Sequence, residues 1–487
     1  VNPFATLPAG APPDGHGLNY QLRNFYMIVH PPSLYVGFTS AAVPFALAVA
    51  ALITGKLDDA WVWATRKWMI FAWLFLTIGN GLGMIWAYEE LGWGGYWNWD
   101  PVENASLLPW LIATPYLHSI IVQERRGMLK VWNLSFICTT FLLTLWGTFL
   151  TRSGLISSVH AFAKSGIGTF FLVFMAIVAV ICIGLIVYRW PLLRSEARLE
   201  SWISREGAFL ANNLVFTALT AFIFVATIWP RISEWLFGEE GNIGPAFYDA
   251  CVPPLALVIL ALMGVAPLLG WRRTSAAQLR RGFAAPVAVA LAAMALHLGL
   301  GRQWGFPAFV QVEPALSGGL GTALAWLSGK LPLVTVGLVA FNVGVIVQEL
   351  VRGVASRRQA TKESPMVAFL RLVLRARRRY GGYLVHLGIA VMFLGYAGRA
   401  WNSTAEATLK PGESMRLGSY ELRYAGHRTA ADTEKRMYFA DLDVLDEGRP
   451  VGRLSPAKYV YRASPNQPSS EAVSYTHLRA HETVLVI

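Results

Sequence analysis

Apolar residues in this chain fall into long runs separated by short clusters of arginine, proline and glycine. A bilayer core about 30 Å thick needs roughly 20 apolar residues at helical rise. Runs of that order cover residues 34–53, 69–88, 107–123, 131–150, 168–188, 208–228, 251–269, 283–301, 331–350 and 381–397. The predicted architecture is an all-α polytopic membrane protein with about ten transmembrane helices. The stretch 305–329 is also apolar, but Pro307, Pro314 and a glycine cluster interrupt it. It predicts a re-entrant or interfacial segment. Beyond Arg399 the pattern changes to glycine-punctuated alternation, in "SMRLGSYELRYAG" and "RMYFADLDVLDEGRPVG". This predicts a small β-rich domain near the C-terminus.

The pattern divides the chain into an N-terminal segment at 1–33, a helical body at 34–398 with a tryptophan-rich loop at 92–105, and a β-rich domain at 399–472. The opening "VNPFATLPAGAPPDGHG" has neither an initiator methionine nor a signal peptide, so the chain reads as a fragment of a longer protein. After Ala472 the run "VSYTHLRAHETVLVI" resembles translated sequencing adaptor. Residues 473–487 read as a non-native tail, and His477 and His481 take no role.

Composition agrees with a membrane body: 55% of the 487 residues are hydrophobic and 14% charged, with a mean hydropathy of +0.44. That excludes an ordinary soluble enzyme. The net charge of +12 does not indicate a nucleic-acid partner, because the basic residues sit in clusters between apolar runs. If residues 1–33 lie outside, the inner loops carry about 23 basic residues and the outer loops about 6. The bias places the segment "WGGYWNWDPVENASLLPW" and the β-rich domain on the outer face. Cys138, Cys182 and Cys251 are far apart and form no CxxC, disulfide framework or zinc spacing. Any thiol chemistry has to come from a partner.

Four of the nine histidines stand out. His118 and His386 lie within apolar runs, where an ionisable side chain faces the bundle interior or a cavity. His118 is about 5 residues from the inner end of its run and His386 about 6, roughly 8 to 9 Å at helical rise. Imidazoles at one depth on two helices can fill both axial positions of a haem iron. The alternative is that each bonds a neighbouring helix. His30 and His160 sit at the outer edge, on loops sharing the face of the tryptophan segment; the alternative is that each is a polar loop residue. His297, near the outer end of its run, is a weaker candidate, and His16 and His427 read as solvated loop residues.

Tryptophan is common at membrane interfaces, so an aromatic belt is one reading of residues 93–100. A belt does not need "WGGYWNWD". Gly94 and Gly95 permit close approach or tight turns, and Trp93, Trp97 and Trp99 can cover a large flat apolar ring such as haem. Asp100 and Glu103 have the spacing of caps for the next helix, with Pro101 in its first turn.

Together "HPPSLYVGF", "GWGGYWNWDPVENASLLPWL", "HSIIVQERRG", "GTFLTRSGLISSVHAFA" and "GGYLVHLGIAV" resemble the cytochrome c maturation protein F family, the haem lyase subunit of the bacterial System I pathway. The resemblance runs from about Asn24 to beyond Arg399. The family's first few membrane spans and part of its C-terminal region have no counterpart here. It implies that the substrate haem is held by Trp93, Gly94, Gly95, Trp97, Trp99 and Asp100 with His30 and His160 on its iron, and that His118 and His386 hold a permanent haem b. It also implies a haem chaperone (maturation protein E), apocytochrome c presented by maturation proteins H and I, and thioether attachment to CxxCH thiols on the periplasmic side of the inner membrane. It implies that the haem b reduces the incoming haem iron, and it leaves the electron donor open, with quinol as one candidate. Asn98 departs from the family, which has an aromatic residue there.

No residue reads as an acid or base for adding a thiol to a vinyl group, so the expected catalysis is by positioning. Three alternatives stay open on the sequence: a paralogous lyase for nitrite reductase haem, a haem-delivery or export protein without lyase activity, and a solute transporter whose broken helices would account for Pro109 and Pro115.

Overall fold

The structure, a computed structural model, describes residues 22–90, 95–155, 166–195, 197–402, 405, 407–462 and 469–471. Among the described residues fourteen α-helices precede six strands: α1 (Phe25–Ser40), α2 (Ala42–Thr54), α3 (Asp59–Glu90), α4 (Pro101–Arg126), α5 (Lys130–Ser153), α6 (Gly168–Tyr188), α7 (Trp190–Leu193), α8 (Arg205–Phe237), α9 (Pro245–Val265), α10 (Ala276–Leu300), α11 (Gly318–Ser328), α12 (Leu331–Thr361), α13 (Pro365–Arg375) and α14 (Arg377–Gly398). Ten helical spans among the described residues are long and apolar enough to cross a membrane, α1 and α2 together forming the first. They correspond one to one with the ten predicted runs. The interrupted apolar stretch contains only α11, whose 11 residues fall short of a crossing.

One predicted loop is helical. "HPPSLY" lies inside α1 despite Pro31 and Pro32. The carbonyls that these prolines leave without a helical partner, four residues earlier, belong to Met27 and Ile28 in the first turn, and the Ile28 side chain is exposed.

The chain forms two compact units, one of Leu34–Thr77 and Trp99–Trp401 and one of Val1–Ser33, Ile78–Asn98 and Asn402–Ile487. In the first, the most apolar span is not the most buried one. The most apolar span, α6, has only 11% of its most apolar stretch buried within the protein, whereas 67% is buried in the less apolar α4. A helix facing lipid needs apolar side chains all round; a helix surrounded by others can carry polar groups that bond across. Leu108, Ile112, Tyr116 and Ile120 of α4 accordingly sit at the centre of the largest core cluster, with Leu134 and Ile137 of α5 and Phe216, Leu219 and Ile223 of α8.

The second unit contains an antiparallel sheet of β1 (Ser414–Leu417), β2 (Tyr420–Ala431), β3 (Lys435–Asp446), β4 (Arg449–Leu454), β5 (Ala457–Tyr461) and β6 (Ser469–Glu471). The order is β1-β2-β3-β5-β6, and β4 also pairs with β3. Gly418 and Gly448 take positive φ in the two tight turns, as the punctuated alternation implied. Leu422, Leu442, Val444 and Leu454 form its core. Arg23 reaches the same unit through a 2.7 Å ion pair with Glu434.

Candidate functional site

Polar side chains of α4 fix its neighbours around it. Ser119 accepts from Asn213 of α8 at 3.2 Å, Asn104 donates to Thr227 of α8 at 3.1 Å, and Gln123 accepts from Asn133 of α5 at 2.7 Å. Toward α3, Thr114 accepts from Trp73 at 2.9 Å and Trp110 donates to Thr77 at 2.8 Å. In a lipid surround such bonds set the rotation and register of one helix against another. They set His118, which immediately precedes Ser119.

His118 and His386 come together from α4 and α14, with ring centroids 6.0 Å apart and planes at 61°. Phe209 of α8, one turn before Asn213, stacks on His118 at 5.9 Å and 19°. The depth of the pair is held from the basic ends of the helices. Glu124, six residues after His118, pairs with Arg378, eight residues before His386, at 2.9 Å and also with Arg66. Arg379 and Tyr383 of α14 reach Glu349 of α12.

Two imidazoles on opposite sides of one iron, each about 2 Å from it, have centroids roughly 6 Å apart. The observed spacing fits that arrangement. His118 Nδ1 is buried with no hydrogen-bond partner among the described residues, so no neighbouring helix accounts for that nitrogen. No group of three or more His, Cys, Asp or Glu that could hold a metal ion occurs among the described residues. His118 and His386 would be the two protein ligands of an iron held here, and haem is a group that would supply the remaining donors.

The tryptophan segment is built differently. Trp93 and Gly94 lie outside the described residues. A Cβ on Gly95 would meet no atom of the described residues within 4 Å. Trp97 belongs to the same unit as Gly95, and the boundary between units falls between Asn98 and Trp99. Trp99 adopts φ +56°, a left-handed conformation that costs a bulky residue about 1–2 kcal/mol. Its surroundings hold it there. The ring stacks on Tyr248 at 4.9 Å and 8°, the indole N–H donates to Asp249 Oδ1 at 2.8 Å, and the carbonyl accepts from Asn104 at 3.0 Å.

Asp100 is the N-cap of α4. Its carboxylate accepts from Val102 N at 3.0 Å and Glu103 Oε2 accepts from Asp100 N at 3.0 Å, completing a capping box with Pro101 in the first turn. The helix thus begins inside the expected 92–105 loop. These contacts give the Asp100 carboxylate a structural role.

His30 Nδ1 lies 2.7 Å from Gly79 O, and its ring lies parallel to Trp86 at 6.3 Å and 12°. His160 lies outside the described residues. His297 is buried in the last turn of α10, with Nε2 2.8 Å from Phe306 O; it ties helix to loop. His427 is exposed on strand β2 rather than in a loop.

Asp249 escaped the sequence reading. Near the start of α9 it bridges Trp99 and Arg399, the latter at 3.0 Å, and so joins the tryptophan segment to the end of the helix carrying His386. Its partners lie 150 residues away on either side in sequence, and no local motif announces the pairing. An acidic residue next to an apolar run was the only signal available.

A family profile described as "Cytochrome C assembly protein" matches residues 3–160. The chain is 36% identical to "Cytochrome c-type biogenesis protein CcmF" of Pseudomonas fluorescens over 94% of this chain and 65% of that protein. It is 34% identical to the protein of the same name in Haemophilus influenzae, over 95% of this chain and 67% of the relative. The chain belongs to the CcmF family. A solved structure titled "Cytochrome c Heme Lyase CcmF" matches with a TM-score of 0.69 and 31% identity, covering 94% of this chain and 65% of that one. Family membership removes the transporter reading, and with the ten spans it makes the chain a multi-pass membrane protein. The chain spans 65% of the length of the Pseudomonas fluorescens relative.

Proposed function

We propose that the protein of which this chain is a part is a cytochrome c haem lyase subunit of the bacterial inner membrane, with its active face in the periplasm. It takes haem from a chaperone, maturation protein E, and promotes thioether attachment to the CxxCH thiols of apocytochrome c presented by maturation proteins H and I. Each S–H adds across a vinyl double bond, sulfur to one carbon and hydrogen to the other, with no net oxidation. The protein's contribution is positioning. Trp93, Gly94, Gly95, Trp97 and Trp99 form the platform for the substrate haem, with Asp100 shaping its edge through the α4 cap and His30 and His160 on the iron.

His118 and His386 hold a resident haem b, which when bound supplies one-electron chemistry, with quinol as donor. The observation that carries this reading is the 6.0 Å spacing of the two rings within the helical body. A haem-delivery protein acting only on its outer face would not need that pair.

The test is an absorption spectrum of the detergent-purified, full-length parent protein, as isolated and after dithionite, beside His118→Ala and His386→Ala. A low-spin b-type spectrum lost in both variants is the expected result. A parent without haem absorption, or variants that keep it unchanged, would remove the resident haem from the reading.

A further inference from the structure

At the arginine-rich ends of the spans, α8, the turn after α9, α10 and α12 border an open cavity of about 610 Å³. That size is typical of a ligand site. Its charged lining is Arg205, Arg281, Arg352 and Glu349. Arg205 donates to the carbonyls of Pro267 at 2.8 Å and Leu269 at 3.1 Å, so two acceptors that would repel an anion are already engaged. Arg352 donates to Arg281 O at 2.9 Å and lies 3.6 Å from Glu349. Glu349 is further neutralised by Arg379. The Arg281 guanidinium makes no hydrogen bond or ion pair among the described residues. The lining carries a net positive charge and one uncommitted guanidinium.

A second observation gives the ligand its shape. From Arg281 an exposed face of small residues runs along α10 through Ala285, Ala288, Ala292, Ala295 and Gly299, one position per turn. Exposed Leu291 and Leu296 flank it. A free anion has no use for such a track, but an acyl chain lies along it without steric conflict. Basic pockets between membrane helices are suited to acidic lipid headgroups.

We propose that this cavity binds the phosphate headgroup of an anionic phospholipid, contacted by Arg281 and Arg352, with an acyl chain along the small-residue face of α10. The cavity shares Glu349 with the contacts that support the histidine pair, but lipid binding there does not depend on the haem reading.

The experiment is native mass spectrometry of the delipidated full-length parent protein titrated with phosphatidylglycerol, with phosphatidylcholine and inorganic phosphate as competitors. Phosphatidylglycerol is expected to bind at least about tenfold more tightly than phosphatidylcholine. Arg281→Glu, at a side chain with no described bonds, should abolish that preference, and Ala288→Phe should weaken lipid binding by obstructing the track. Equal binding of both lipids, or an unchanged preference in Arg281→Glu, would overturn the proposal. Full displacement by an equal concentration of inorganic phosphate would also overturn it, reassigning the cavity to a free anion.

Discussion

The histidine pair and the tryptophan segment are assembled by opposite strategies. His118 and His386 project from the interiors of two long helices, whose register is set by polar bonds along α4 and by Glu124 at one end. Trp99 belongs to a short non-helical stretch and is held by single contacts from residues far away in sequence: Tyr248, Asp249 and Asn104. The first arrangement gives a fixed spacing suited to a permanent ligand. The second gives an anchored edge on an otherwise non-helical segment, which suits a ligand that arrives and leaves. The contrast also implies that the two regions fail separately when their supports are removed.

The largest effect should follow from Glu124→Leu. It removes the shared acceptor of Arg66 and Arg378 and leaves Arg66, only 11% exposed, without this partner. Breaking a partly buried pair of this kind costs about 3 kcal/mol. Thermal unfolding of the full-length protein should shift down markedly and the b-type absorption should weaken, because the two histidines lose their common depth. An unchanged spectrum in a destabilised variant would show that helix packing alone sets the spacing.

Asp249→Leu probes the other region. It leaves the Trp99 indole and Arg399 without their acceptor, at a cost of about 1–2 kcal/mol. Haem loaded from outside should bind more weakly while the resident b-type spectrum stays, and Asp249→Asn, which keeps an acceptor for the indole, should recover part of the loss. Equal loss of both haem signals would mean that the Asp249 bridge to Arg399 joins the two regions too tightly for them to fail independently.

The same contrast explains what the sequence could reveal. Hydropathy found all ten spans because lipid imposes composition over about 20 consecutive residues. It placed several of their ends too far inward, since α3 begins at Asp59 rather than 69 and α12 runs to Thr361 rather than 350, whereas α6 matches its run at both ends. Arg66 and Lys67 break the apolar run without breaking the helix, because their bonding partners lie on the same helix whether or not lipid surrounds them. His118 and His386 were legible because depth follows from residue count along a helix. Asp249, Arg399 and Phe209 were not, because their roles depend on contacts between distant segments. His30 lies on a helix rather than on the expected loop, since prolines such as Pro31 and Pro32 that relinquish first-turn bonds do not stop a helix.

A smaller effect is expected from Asp100→Ala. Losing the N-cap acceptor of α4 should cost about 1 kcal/mol, read as a modest drop in thermal stability. If the capping box is the main role of this carboxylate, Asp100→Ser should restore the stability and haem uptake together. Restored stability with uptake still lost would instead give the carboxylate a direct part in the tryptophan platform.

The smallest effect lies outside both regions, where it serves as a control on them. Glu363, between α12 and α13, is held down to about 2 by hydrogen bonding to Arg357, with Arg371 adding to it. A carboxylate depressed on folding contributes stability that is complete above its ordinary value of 4.5 and is lost as pH falls through its folded value. The stability difference between the parent and Glu363→Gln should therefore be constant above about pH 5, shrink as pH falls below that, and vanish below about 2. This link fastens a surface connection, so neither haem signal should follow it. A b-type spectrum that weakens in Glu363→Gln at neutral pH would show that the histidine spacing depends on the connection between α12 and α14, and would move the control of that site away from Glu124.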